Sequence, residues 1–302
     1  MLIYKNLSKI NRLGKSVLAI GNFDGLHLGH QKVLKEAYTK AKKSRLKFGV
    51  ITFEPLPVMF FNKKIKNHRI NNLNQKIKDL KKMKIDFLII IKFNKKFSKT
   101  TYKKFIKNII FKKTNCKFLF ISKNFRFGKN REGDVKKLRS YENQYFYKTC
   151  VAKPFKKKRR ILSSTIIRSE ISKGNIIKVN ELLGRKWCIE GRVIKGEKRG
   201  RKIGFPTCNI KINEYVLPKL GVYSVNVHIN KLKRKGIANI GFRPTFRGKT
   251  ILLEVHIFGL KANLYNKKIK INFVKFIRPE IKFRNINQLK KQIKKDINRV
   301  KK

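Results

Sequence analysis

No apolar run in this sequence is long enough to cross a bilayer. The longest, such as Phe-Leu-Ile-Ile-Ile from Phe87, are strand-sized, whereas a spanning helix needs about 20 consecutive apolar residues. The start, MLIYKNLSKINRLGK, has no apolar core ahead of a small-residue cleavage site. No secretory signal is therefore expected, and the chain reads as soluble and cytoplasmic. Cysteine is scarce too: Cys116, Cys150, Cys188 and Cys208 are scattered without a CxxC pair. That pattern excludes a disulfide framework and a cysteine zinc site, and fits reduced thiols. Acids are the scarcest class for their usual weight, 16 Asp and Glu against 79 Lys and Arg, for a net charge of +63. Glycine and proline number only 18 and 7, and histidine 5.

The charge has two readings. Lys and Arg that neutralise phosphates drive nucleic-acid affinity. Yet the excess runs along the whole chain and accompanies abundant Asn, Ile, Phe and Tyr. All of these have A/T-rich codons, as Lys does, while the scarce Gly and Pro have G/C-rich ones. Compositional drift is the preferred reading. No RNP-type or interleaved aromatic-basic motif is present, so a basic RNA-binding protein on an enzyme scaffold stays the rival of another class. No specific nucleic acid is expected, only salt-sensitive adhesion to RNA and acidic surfaces. The run Lys156–Arg160, KKKRR, reads as a solvated loop rather than a linker or localisation signal.

What is present is room for two domains, since 302 residues with 41% hydrophobic content can bury two cores. The first half alternates strand and helix patterns: SVLAIGNF, GHQKVLKEAYTKAKK, KFGVITFEP, QKIKDLKKMK, IDFLIIIKF, YKKFIKNIIFKK and CKFLFISKNF. That rhythm predicts an α/β domain with a parallel sheet, whose ligands bind beyond the carboxyl ends of the strands. From Trp187 short alternating runs take over: WCIEGRVIKG, GVYSVNVHI, KGIANIG, ILLEVHIFG and KIKINFVKFI. They predict an antiparallel sheet or closed β-barrel, followed by a last helix, INQLKKQIKKDINRV. The change of pattern places the boundary near Leu183–Lys186, giving domains 1–184 and 185–302.

Two of the five histidines, His27 and His30, flank Gly29 where the first strand hands over to a helix. Backbone N–H groups and the helix dipole favour phosphate there. Zinc ligation and ordinary surface histidines are the competing readings of an isolated HxGH. A second stretch, LSSTIIRSEI, sets Ser163, Ser164 and Thr165 at a helix start with Arg168 one turn on. Alone it is an N-cap pattern; with HxGH it makes a second phosphate-binding candidate. Farther on, GRVIKGEKRGRKIGFPTCNI is glycine-spaced and basic but not a Walker A sequence. Glu254 is a lone acid on an apolar strand pattern, LEVHIF.

IGNFDGLHLGHQ, TFEPLPVMFF, KFLFISKNFRFGKNREGDV and SSTIIRSEI, followed by GFPTCN, ANIGFRPTF and the LLEVHIF…IRPEIKF stretch, together resemble the bacterial bifunctional riboflavin kinase/FAD synthetase family from about Leu18 to Asp296. The resemblance implies a Rossmann-like nucleotidylyltransferase domain followed by a riboflavin kinase barrel. It implies ATP as substrate with Mg²⁺, riboflavin phosphorylated to FMN, and FMN adenylylated to FAD with release of pyrophosphate. By the same likeness His27, His30, Gly21, Asn22, Asp24, Gly29, Ser163, Ser164, Thr165 and Arg168 serve the adenylylation site. Asn124, Phe125, Arg126 and Phe127 lie by flavin and nucleotide. Gly196, Arg201, Gly204 and Pro206 cradle ATP, Thr207 and Asn209 serve the metal, Glu254 is the base, and Arg278 and Phe283 lie in a flap near flavin. The chain departs from the family where Ser122, Lys123 and Asn124 replace a Gly-acid-Asp run, and where Gly259, Asn263 and Asn266 replace two acids and a turn glycine. A kinase with a weakened adenylyltransferase is thus the nearer rival. A monomer or weak oligomer is expected, with small molecules as partners.

Overall fold

In the computed structural model, which describes residues 1–157, 160–197, 199–245, 248–260 and 262–301, the chain divides into two units. Lys158 and Arg159 of the basic run lie outside the described residues. One unit comprises Met1–Lys66 and Leu73–Ser163; the other comprises Asn67–Asn72 and Ser164–Lys302.

The first unit is built on β1 (Leu2–Tyr4), β2 (Ser16–Ile20), β3 (Lys47–Glu54), β4 (Phe87–Lys92), β5 (Cys116–Ser122) and β6 (Lys148–Ala152). They form one six-stranded sheet in the order β1-β4-β3-β2-β5-β6, parallel throughout. Strand β2, Ser-Val-Leu-Ala-Ile, is buried along its whole length, as a parallel strand covered on both faces must be. Leu18 and Ile20 point into one core with Leu119, Ile121 and Leu138. Val17 and Ala19 point into the other, against Leu34, Ala37 and Ala41 of the helix Leu28–Lys43. Gly49 is required by packing, because a Cβ there would come within 2.0 Å of the Phe87 ring. A two-residue hairpin, β7 (Lys156–Lys157) with β8 (Arg160–Ile161), follows the sheet. The helix expected over YKKFIKNIIFKK begins as a single α turn, Tyr102–Phe105, and continues as a π-helix over Ile106–Lys113. The short strands β1 and β6 carry no strong alternation, and sequence reading passed over both.

The second unit holds β9 (Cys188–Ile194), β10 (Cys208–Lys211), β11 (Gly221–Ile229), β12 (Leu232–Thr245), β13 (Gly248–Ile257) and β14 (Lys268–Arg278). They close into an antiparallel barrel, β10-β13-β12-β11-β14-β9. The alternation read from sequence fills its interior: Ile210, Ala238, Ile240, Leu253, Val255 and Ile271 are all buried. The C-terminal helix Ile286–Lys301 packs Ile293, Ile297 and Val300 on Val222, Ile237 and Ile277.

This unit begins earlier than the change of sequence pattern. The helices Ser164–Ser172 and Ile176–Leu183 belong to it. Asn180 explains the second: its Nδ2 donates to Phe273 O at 3.0 Å, and its Oδ1 accepts from Trp187 N at 2.7 Å. Trp187 is fully buried and donates to Ile70 O at 2.8 Å, and Arg69 pairs with Glu214 at 2.9 Å, which draws the short segment Asn67–Asn72 into the same unit. Such hydrogen bonds leave no periodic trace in sequence.

Candidate active sites

The reversal of strand order beside β2 opens a crevice past the carboxyl ends of β2 and β5, where ligands of such sheets bind. The turn leaving β2 is tightly wound, with positive φ at Phe23, Gly25 and Leu26. Thr52 Oγ1 steadies it by donating to Asn22 O at 3.1 Å, and Gly21 N donates to Ile51 O at 3.2 Å. Strained backbone of this kind persists where the surrounding structure over-determines it, typically at functional sites. Asp24 and His27 are both buried there.

His27 is the N-cap of the helix Leu28–Lys43, and its Nδ1 accepts from His30 N at 3.3 Å. That bond places the neutral ring's proton on Nε2, which remains a donor. The two imidazoles stack at 3.7 Å between centroids, and Phe23 meets His30 edge-on at 5.3 Å. The intervening glycine has a steric cause: a Cβ on Gly29 would lie 3.1 Å from the His27 ring. HxGH is thus a folded-back cap that sets two imidazoles side by side at a helix N-terminus. Among the described residues no group of three or more His, Cys, Asp or Glu is placed to hold a metal ion.

Ser163 ends the first unit, whereas Ser164, Thr165 and Arg168 belong to the second. Arg168 Nε donates to His68 O at 2.8 Å within that unit.

Sequence reading missed an aromatic cluster beyond β3 and β4. Phe93 lies 5.3 Å from Phe60, 5.6 Å from Phe61 and 5.6 Å from Phe97, and Phe53 joins at 6.2 Å. It continues through Phe105 to Phe127, which stacks on Phe125 at 5.4 Å. Phe61 is largely exposed and Phe127 buried, so the cluster runs from surface to core. Its visible signal was the Phe-rich end of TFEPLPVMFF. Such a platform suits a flat aromatic ligand.

Beside Phe125, a cavity of about 570 Å³ is lined by Lys123, Asn124, Arg126, Arg131, Asp134 and neighbouring cations. Asp134 is already engaged: its Oδ2 meets Arg126 Nη1 at 2.9 Å and its Oδ1 accepts from Lys137 N at 2.9 Å. The Lys137 N–H bond, followed by Arg126, holds its carboxyl below the usual carboxylate range. The cavity wall is therefore predominantly cationic.

In the second unit Asn209, Glu254 and Asn239 stand opposite one another across β10, β13 and β12. With Leu253 and Val255 inside the barrel, these three project from its outer face. Gly196 lets the loop close over Asn209, since a Cβ there would come within 2.1 Å of Asn209 Nδ2. Asn209 Oδ1 is buried without a hydrogen-bond partner. An orphaned carboxamide oxygen beside a carboxylate suits a hard cation. His256 Nδ1 donates to Pro206 O at 2.8 Å, fixing the strand entry beside exposed Thr207. Gly204 turns the loop at φ +89°, and Arg201 and Thr207 line a small cavity of about 80 Å³ with Leu260 and Tyr265. Burial pushes the Cys208 thiol up to about 12, so it is a protonated packing group. Asn266 takes φ +64°, the turn conformation a glycine would have served. A Gly196→Ala substitution should displace Asn209, because the added methyl would overlap its Nδ2.

Arg278 does not stand free at the barrel edge. It forms a forked pair with Asp296, Nη2 to Oδ2 at 2.8 Å and Nε to Oδ2 at 3.0 Å, and Phe283 lies 6.0 Å from its guanidinium.

A histidine-capped helix at the switch point of a parallel sheet, and a barrel presenting Asn and Glu beside a glycine loop, define a two-unit nucleotide-dependent transferase. Family models identify which one: FAD synthetase matches residues 9–166 and riboflavin kinase residues 183–302. The chain belongs to the bifunctional riboflavin kinase/FAD synthetase family. It is 44% identical to the bifunctional riboflavin kinase/FMN adenylyltransferase of Buchnera aphidicola subsp. Schizaphis graminum, covering 98% of this chain and 96% of that one. Against the protein of that name from Escherichia coli K12 the identity is 35%, covering 96% and 93%. A crystal structure described as a macrolide-efflux protein from Streptococcus pneumoniae superposes with a TM-score of 0.88 at 29% identity, covering 99% and 98%. No described helix of this chain is long and apolar enough to cross a membrane.

Proposed function

We infer that the chain carries both activities of its family, phosphorylating riboflavin to FMN and adenylylating FMN to FAD. Residues 1–184 act as the FMN adenylyltransferase and 185–302 as the riboflavin kinase, in the cytoplasm, as a monomer or weak oligomer. The observation that carries the reading is the stacked His27–His30 pair at the sheet's switch point. In adenylylation an FMN phosphate oxygen attacks the α-phosphorus of ATP, and the bond to the pyrophosphate oxygen breaks. No protein nucleophile is needed, so the residues act by positioning and by neutralising charge. His27 and His30 take this role together with Gly21, Asn22, Asp24, Gly29 and Ser163. Asn124, Phe125, Arg126 and Phe127 line the flavin side, joined by the aromatic cluster around Phe93.

In the kinase step the 5′-hydroxyl of riboflavin attacks the γ-phosphorus, its proton passes to Glu254, and ADP leaves. Gly196, Arg201, Gly204 and Pro206 hold ATP, and Arg278 and Phe283 shape the flavin side. Mg²⁺ fits Thr207 and Asn209, because the Asn209 Oδ1 lacks any other partner; bound there it would neutralise phosphate charge. A second reading, a kinase with a weakened adenylyltransferase, draws on the cationic cavity, whose lining carboxylate Asp134 is already paired. Purified protein given FMN, ATP and Mg²⁺ should form FAD with one pyrophosphate per FAD. Failure to form either would leave only the kinase.

A further inference from the structure

The segment joining β14 to the C-terminal helix is exposed over Pro279–Lys282, yet both of its ends meet one guanidinium. Arg278 Nη1 donates to Pro279 O at 2.9 Å, and the Phe283 ring lies 6.0 Å from the same group. The guanidinium is itself held from behind. Asp296, on the C-terminal helix, takes Nε and Nη2 in a fork, with side-chain exposures of 12% for Arg278 and 1% for Asp296. Gln292 Nε2, one turn earlier, donates to Asp296 Oδ1 at 2.9 Å. That helix is fixed to the barrel by Ile293, Ile297 and Val300, so Asp296 is a rigid anchor. In the middle of the loop Glu280 Oε1 accepts from Asn239 Nδ2 at 3.3 Å. Asn239 stands directly opposite Glu254 on the neighbouring strand. A Cβ on Gly241 would come within 2.1 Å of Glu280 Oε1, so that glycine keeps the approach open.

In a chain with only 16 acids, one buried in a forked pair has a role to explain. We propose that Asp296 is a positioning residue of the kinase site: through Arg278 it sets the loop Pro279–Phe283 over the Asn239–Glu254 row, and thereby sets affinity for the flavin. This rests on the reading of Glu254 as the kinase base. Without the carboxylate, a buried guanidinium loses its partner and turns toward water, releasing Pro279 O and Phe283 together. Arginine's planar fork is needed, because a lysine could keep the charge pair but not the simultaneous bond to Pro279 O.

The test measures riboflavin binding by flavin fluorescence alongside steady-state kinase kinetics, for Asp296→Asn, Asp296→Glu and Arg278→Lys, with thermal unfolding of each variant. In Asp296→Asn and Arg278→Lys, riboflavin Kd and KM should rise about tenfold while kcat and the KM for ATP stay within about twofold, the signature of lost ground-state binding. Asp296→Glu should recover part of the affinity. FMN adenylylation by the same variants should be unchanged. Unaltered riboflavin affinity in the two variants, or equal loss for riboflavin and ATP, would overturn the proposal. A wild-type chain that binds riboflavin without phosphorylating it, but binds it more weakly as Asp296→Asn, would sink the Glu254 reading and leave the positioning role standing.

Discussion

Glu254→Gln should lower riboflavin phosphorylation by about 10²–10⁴, the range a positioned general base contributes. FMN adenylylation by the same protein should be untouched. The substitution is nearly isosteric and lies on the outer face of β13, between inward Leu253 and Val255, so the barrel interior is undisturbed. What it removes is the ability to accept the hydroxyl proton. A carboxamide can still hydrogen-bond the riboflavin alcohol, so KM should change little and the loss should fall on kcat. Steady-state assays of both reactions on one preparation make the comparison, with adenylylation as an internal measure of folding. Equal loss of both activities would contradict the assignment.

Gly29→Ala should lower FMN adenylylation, by about tenfold, because the His27 ring beside it must give way and productive geometry is sensitive to small displacements. The added methyl would sit 3.1 Å from the His27 ring, which must shift slightly and so weaken its hold on the helix turn it caps. Capping and catalysis are thereby separated. Loss of the Nδ1 cap costs about 1 kcal/mol, but alanine restores a similar amount of helix propensity over glycine, again about 1 kcal/mol. Thermal stability should therefore stay near that of the unmodified chain while pyrophosphate release falls. An unfolded Gly29→Ala variant, or a fully active one, would show that the stacked histidines are not what the glycine protects.

The elements that carry the candidate site residues were legible because they are regular. The strand SVLAI and the helix that follows were legible from an apolar run and helical spacing, and the alternation of ILLEVHIFG marked a barrel strand, on whose outer face Glu254 is found. Why a glycine stands inside HxGH was not legible, since a Cβ there would meet the His27 ring only once the chain has folded back. Less legible was whatever depends on distant side chains. Arg278 could be placed by its motif, but its fork to Asp296 joins a strand end to a helix 18 residues on. The helices Ser164–Ser172 and Ile176–Leu183 follow a strand-helix pattern yet pack with the barrel, through Asn180 and Trp187. The net charge of +63 told least, and its local outcome, the cationic cavity around Asn124, emerged only in three dimensions.

Incubation of the purified chain with riboflavin, ATP and Mg²⁺, followed by chromatography of the flavins over time, tests the two-site account most directly. FMN should rise first and then decline as FAD accumulates. Riboflavin left unconverted throughout would contradict it.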